Sequence, residues 1–145
     1  MIKIMKQHTH VGVYALARKD DAVLLIKKAR GPYIGKWDLP GGRLEFGEKP
    51  VEGLAREVLE ETGLVVQASN LVDVFSHSVV YQPAGVEQEE MYHVGIIYEV
   101  SLDYSENLKT GSDGEDSSGA SWIKLSEITE NNSSPFVSRS IKKFI

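Results

Sequence analysis

Three carboxylates, Glu57, Glu60 and Glu61, stand at i, i+3 and i+4. A helix repeats every 3.6 residues, so that spacing puts all three on one face. Carboxylates so close repel one another unless a cation sits among them. Clustered hard oxygen donors suit Mg²⁺, with Mn²⁺ as the alternative. The competing reading is a solvated acidic helix face, the usual fate of a charge run. Arg56 lies four residues before Glu60. It can brace a neighbouring carboxylate by a two-pronged hydrogen bond, or form a plain surface ion pair.

The element that must position these groups is a helix over about residues 50–62. Pro50 suits the first helical position and Gly63 the residue just past the end. Val51, Leu54, Ala55, Val58 and Thr62 recur at helical spacing and are expected to form the buried stripe. The carboxylates then lie roughly a third of a turn away. Two residues disagree with an ideal helix. Lys49 is a poor N-cap, and Gly53 sits in the interior at a cost of about 1 kcal/mol against Ala. Gly53 is one turn before Glu57, so its missing side chain is expected to admit the Gly41-Gly42 stretch, or a phosphate.

The surrounding residues follow the pattern G-x5-E-x7-R-E-U-x-E-E-x-G-U, where U is a bulky aliphatic. Gly42, Glu48, Arg56, Glu57, Val58, Glu60, Glu61, Gly63 and Leu64 fill every fixed position. This resembles the signature of the Nudix (MutT-like) hydrolases. The lead-in Trp37-Asp38-Leu39-Pro40-Gly41-Gly42 and the later Trp122-x-x-Leu125 are also similar to that family. The resemblance implies an α/β (α+β) fold, a mixed β-sheet sandwiched between helices. It implies Mg²⁺-dependent hydrolysis of a phosphoanhydride bond in a nucleoside diphosphate linked to another moiety. Glu57, Glu60 and Glu61 match the family's metal ligands, with a backbone carbonyl at Gly41 or Gly42 beside them. Glu48 binds metal directly or through water, or only fixes its loop. The general base is open between Glu57 and the loop acids Glu87, Glu89 and Glu90. A tyrosine near Tyr81 occurs in relatives that act on dinucleoside polyphosphates. On that resemblance Glu57, Arg56 and Glu60 carry the catalysis.

Upstream of the helix, residues 9–17 alternate loosely and read as a strand. The apolar run 22–26 reads as a buried strand pairing back on it. Residues 27–36 form a basic loop in which Lys27, Lys28, Arg30 and Lys36 could hold substrate phosphates. Pro40 keeps Leu39 extended, the paired glycines suggest a turn, and residues 43–46 a short strand. Downstream, strands over 64–66 and 71–81 flank a turn at 68–70. Strict alternation from Tyr92 to Leu102 marks the clearest strand. Residues 103–118 read as a mobile polar loop and 120–125 as a final strand. A helical turn is expected at 127–129, then a helix capped by Ser134 and Pro135. His8, His10, His77 and His93 lack a zinc-like spacing and read as structural.

With 145 residues, 41% hydrophobic and 26% charged, the chain reads as one domain over 1–145. A net charge of −5 argues against a protein that holds duplex nucleic acid. There is no cysteine, hence no disulfide or thiolate chemistry. No apolar run approaches the ~20 residues of a membrane span, and the first residues do not read as a secretory signal. These features fit a cytoplasmic protein that binds a small nucleotide, with a homodimer allowed. A nucleoside triphosphate is the first substrate class. The rivals are a nucleotide sugar or dinucleoside polyphosphate, or a non-catalytic nucleotide sensor. Arg30, Lys36, Tyr81 and Glu90 are the substrate-binding candidates.

Overall fold

The computed structural model describes residues 5–83, 85–103, 108–111 and 117–144. Within the loop expected over 103–118, residues 104–107 and 112–116 lie outside the described set. Among the described residues, eight strands form two sheets. The first has the order β5 (Gly41–Arg43), β1 (Lys6–Leu16), β7 (Glu89–Asp103), β6 (Val65–Tyr81). In it β1 and β7 run parallel, and the other pairs are antiparallel. In the second, β3 (Ala22–Lys28) pairs with β2 (Arg18–Lys19), β4 (Trp37–Asp38) and β8 (Ser117–Lys124).

Residues 22–26 pair back only on the end of the expected first strand, where the Leu24 N–H donates to the Ala17 carbonyl and β2 continues the chain. They enter the second sheet beside β8. The physical reason is that Val23, Leu24, Leu25 and Ile26 are all buried. A strand apolar on both faces must be covered on both sides. One core joins Val13, Ala15, Leu24 and Ile26 to Leu54 and Val58 of α1 (Pro50–Thr62). The other joins Tyr14, Leu16, Val23 and Leu25 to Phe136 and Val137 of α2 (Pro135–Ser140). Alternate residues of β1 and β3 thus face opposite helices, and the strands form the middle layer of an α/β/α sandwich.

The turn expected at 68–70 is absent. The chain passes through it as strand, with register shifts between Val66 and Ala68 and between Leu71 and Asp73. The long partner β7 keeps the segment extended, and bulges absorb the misfit. The paired glycines likewise lie in β5, not in a turn.

Helix α1 has the expected ends. Pro50 opens it after an extended Lys49 with no side-chain cap, and Gly63 closes it at φ 76° by donating to the Leu59 carbonyl. Its buried stripe is rotated from the expected one. Val51 is 49% exposed and Ala55 is exposed, whereas Gly53, Leu54, Val58, Glu61 and Thr62 are buried. The helix packs against β5, whose glycines let it approach on the glutamate side. At the other end, Ser134 caps α2 by accepting from the Val137 N–H. The preceding 3₁₀ turn is Leu125–Glu127, two residues earlier than expected. Among the described residues, no helix is long and apolar enough to cross a membrane.

Candidate functional site

Glu57, Glu60 and Glu61 of α1 are not equivalent. Arg56 gathers most of the box. Its Nε and Nη2 donate to the two oxygens of Glu48, at 2.8 and 3.0 Å. Its Nη1 donates to Glu57 at 2.9 Å and to Glu60 at 3.5 Å, and Nη2 also reaches the Arg43 carbonyl. The guanidinium bonds and the Glu45 N–H hold the Glu48 carboxyl down to about 2. Glu60 stays at the rim, its side chain 55% exposed.

Glu57 and Glu61 instead face the glycine strand. A Cβ on Gly42 would stand 2.7 Å from the carboxyl carbon of Glu57. The Gly41 N–H donates to Glu61 Oε1 at 2.7 Å. Glu61 is 3% exposed, and its Oε2 is buried with no hydrogen-bond partner. Burial pushes this carboxyl up, against the pull of the Gly41 N–H and Lys28. Gly53 makes room for Leu44 and Glu48, since a Cβ there would come within 2.7 Å of both. The expected approach of Gly41-Gly42 takes place at Glu57 instead.

Gly42 and Glu57 open onto a cleft of about 280 Å³ shared with Lys28, Arg30, Arg43 and Tyr81. Of the substrate-binding candidates, Arg30 and Tyr81 therefore share the cleft with Glu57. Lys36 lies in a separate cleft with Phe75 and Arg139. Glu90 accepts from Gln7 at 2.6 Å and lines a third groove beside Ser78 and Tyr92. Glu89 pairs with His8 and Lys6.

Buried groups at the cleft that the sequence did not mark as functional are Asp38 and Tyr33, together with His93, which read as structural. The Asp38 carboxylate accepts from the Leu39 N–H at 2.9 Å and the Ser134 hydroxyl at 2.7 Å. Burial raises its pKa, opposed by Lys28 and those two bonds. His10, His93 and His77 form one cross-strand row over β1, β7 and β6. In the next row Gly12 pairs with Gly95. The Tyr14 ring occupies the space over Gly12 and Phe136 that over Gly95, and the two rings stack at 5.5 Å. Tyr14 thereby brings its Oη to 2.6 Å from His93 Nε2, and Tyr33 Oη lies 3.3 Å from Nδ1. Burial, then the nearby His10, Lys28 and His77, pushes His93 down to about 3. The i, i+2 spacing within His10, Gly12 and Tyr14 and within His93 and Gly95 was the signal available in the sequence; the register that sets them side by side was not.

The cleft thus sets Lys28, Arg30 and Arg43 beside Glu57 of the helix that Arg56 braces. The NUDIX domain family model covers residues 6–144. The chain belongs to the Nudix family. Among Nudix relatives, it is 42% identical over 69 residues to an ADP-ribose pyrophosphatase of Methanocaldococcus jannaschii. That match takes 48% of this chain and 41% of the relative, so the chain spans less than half of that protein. It is 30% identical over 128 residues to the nucleoside triphosphatase NudI of Escherichia coli, 86% of each chain. The crystal structure of a MutT NUDIX hydrolase from Burkholderia pseudomallei shares the fold, with a TM-score of 0.74 at 23% identity. That likeness covers 95% of this chain and 99% of the other.

Proposed function

We propose that this Nudix chain hydrolyses a phosphoanhydride bond in a nucleoside diphosphate linked to another moiety, in the presence of Mg²⁺. The first substrate class is a nucleoside triphosphate, which would release pyrophosphate. The observation that carries this reading is that Glu57 and Gly42 share one cleft with Lys28, Arg30 and Arg43. A polyphosphate needs cations along its length, and its hydrolysis needs acidic groups at the bond that breaks.

The donor set fits a hard divalent ion. Glu57, Glu60 and Glu61 supply carboxylate oxygens from adjacent turns of α1, and Glu61 Oε2 is a buried oxygen with no protein partner. Among the described residues, no three acids or histidines converge into a cage as they stand. Glu57 and Glu60 are turned toward Arg56. The fit therefore rests on donor chemistry and on the Glu61 atom. These glutamates would hold the ion, with the Gly42 backbone carbonyl and Glu48 beside them. When bound, the ion polarises a phosphoryl oxygen and acidifies the attacking water.

The chain's own residues do the rest. Of the four candidate bases, Glu57 alone lines the cleft, so we give it the proton of the attacking water. Arg56 keeps Glu48 ionised and aims Glu57. Lys28 and Arg30 bind the phosphates beyond the scissile bond. A second reading, an ADP-ribose-like substrate, is favoured by the M. jannaschii relative.

The test is a nucleotide panel with Mg²⁺, scored for pyrophosphate, phosphate and monophosphates. Turnover of a triphosphate to pyrophosphate is expected, and Glu60→Gln should abolish most of it while the fold is retained. No turnover of any phosphoanhydride would overturn the proposal in favour of a nucleotide sensor.

A further inference from the structure

Resting on that reading, we propose that Tyr33 is a positioning residue. Through the buried imidazole of His93 it holds the 28–36 loop, so that Lys28 and Arg30 stand over the substrate phosphates. The loop is closed at its base, where the Lys28 N–H donates to Lys36 and the Gly35 N–H donates to Lys28, at 2.9 and 2.8 Å. Inside it, the Ile34 N–H donates to Gly31 and the Lys36 N–H to Tyr33. Gly31 and Gly35 take left-handed φ values of 82° and 79°, which glycine adopts without strain. Lys28 ends β3, where it pairs with Ser117 of β8, so these bonds fix the base of the loop on the second sheet. They do not tie its tip, with Arg30, to the first sheet.

Tyr33 makes that tie. Its ring is buried and stacks on His93 at 5.8 Å and 22°. Its hydroxyl meets Nδ1, while Tyr14 meets Nε2 from the opposite side. A neutral imidazole has one donor nitrogen and one acceptor. One tyrosine therefore donates to the ring and the other accepts from it, and either tautomer fixes the ring. Tyr14 is itself held over Gly12 and against Phe136. The chain of contacts runs from the parallel β1–β7 pair through His93 to Tyr33, three residues from Arg30 and five from Lys28. All of Tyr14, Lys28, Arg30, Tyr33 and His93 line the cleft that holds Glu57.

The alternatives are that the Tyr33 hydroxyl only stabilises the core, or that it touches the ligand itself. A double-mutant cycle separates them. The probe is ADP, titrated by calorimetry in EDTA so that nothing is turned over. Tyr33→Phe keeps the ring and removes only the hydroxyl. It should weaken ADP about 3- to 10-fold, the range expected for one hydrogen bond. With the substrate found by the panel, KM should rise by a similar factor while kcat stays within about two-fold. In a Lys28→Ala/Arg30→Ala background the same change should have almost no effect on ADP. His93→Gln, which breaks the tie from the other side, should weaken ADP in the same direction. An unchanged affinity in Tyr33→Phe would overturn the inference, as would an equal loss in both backgrounds. If Lys28→Ala/Arg30→Ala binds ADP as tightly as wild type, the phosphate reading of the cleft falls with it.

Discussion

The Arg56 guanidinium clasps both carboxylate oxygens of Glu48 and still reaches Glu57 at 2.9 Å. One planar cation thus sets the positions of two box acids that come from different elements, the loop before α1 and the helix itself. A lysine offers a single point of charge and cannot reproduce the fork. Arg56→Lys is expected to lower kcat/KM by about 10- to 100-fold, the usual cost of losing a group that orients ligands. Steady-state kinetics with the best nucleotide of the panel check this. Activity within two-fold of wild type would show that Glu48 and Glu57 are placed without it.

Adjacent glycines should respond differently to the same added methyl. At Gly42 the new Cβ meets the far end of the Glu57 side chain, 2.7 Å from its carboxyl carbon. Gly42→Ala should therefore lower kcat at least several-fold with little change in melting temperature. At Gly41 φ is 150°, and the Cβ would strike the Val13 carbonyl on β1. Gly41→Ala should cost at least about 1–3 kcal/mol of stability from the backbone alone. Urea melts and single-turnover rates on the two variants make the comparison. Equal stability losses would mean that the helix, not the side chain, yields at Gly42.

Glu61 carries the metal prediction. Its Oε2 has no partner in the protein, so an ion that takes this oxygen binds the folded chain and not the unfolded one. Millimolar Mg²⁺ should raise the melting temperature of the wild type, and EDTA should reverse the rise. Glu61→Gln should keep the fold but lose most of the Mg²⁺-dependent rise. A full rise in that variant would take Glu61 out of the ligand set.

His93 makes stability depend on pH. The folded chain holds its imidazole down to about 3 through burial, whereas an unfolded histidine titrates near 6.5. Between those values the unfolded state binds the proton that the fold refuses, so stability rises with pH. The contribution is complete above about 6.5 and falls away as pH drops toward 3, by at most about 1.4 kcal/mol per unit. Urea unfolding at pH 7.5, 5.5 and 4.5 should show a steeper loss for wild type than for His93→Gln. Parallel slopes would remove His93 as the source.

The chemistry was more legible in the sequence than the pocket. Glu48, Arg56 and Glu57 sit within ten residues, and the caps at Pro50 and Gly63 frame the helix that carries them. What the helical period could not reveal was that Glu61 is buried and Val51 exposed. That depends on two side chains being absent across the interface, at Gly41 and Gly42, and periodicity within one element does not see its partner. The turn read at 68–70 failed for a similar reason, because Ala68-Ser69-Asn70 favours turns locally but pairs along β7. The pocket residues Tyr14, Tyr33 and His93 come from separate parts of the chain, and each alone looks like ordinary core.

The β1–β7 pairing separates the two halves of the site in loop closure as well as in sequence. Gly41, Gly42, Glu57 and Glu61 can find one another once the first 64 residues exist. His93 cannot reach Tyr14, 79 residues earlier, until β7 has been made and laid alongside β1. Closing so long a stretch of chain is a slow step in folding. The Gly41–Glu61 bond spans 20 residues and the Tyr14–His93 contact 79, so the glycine–helix half of the site rests on the shorter loop closure and the pocket half on the longer.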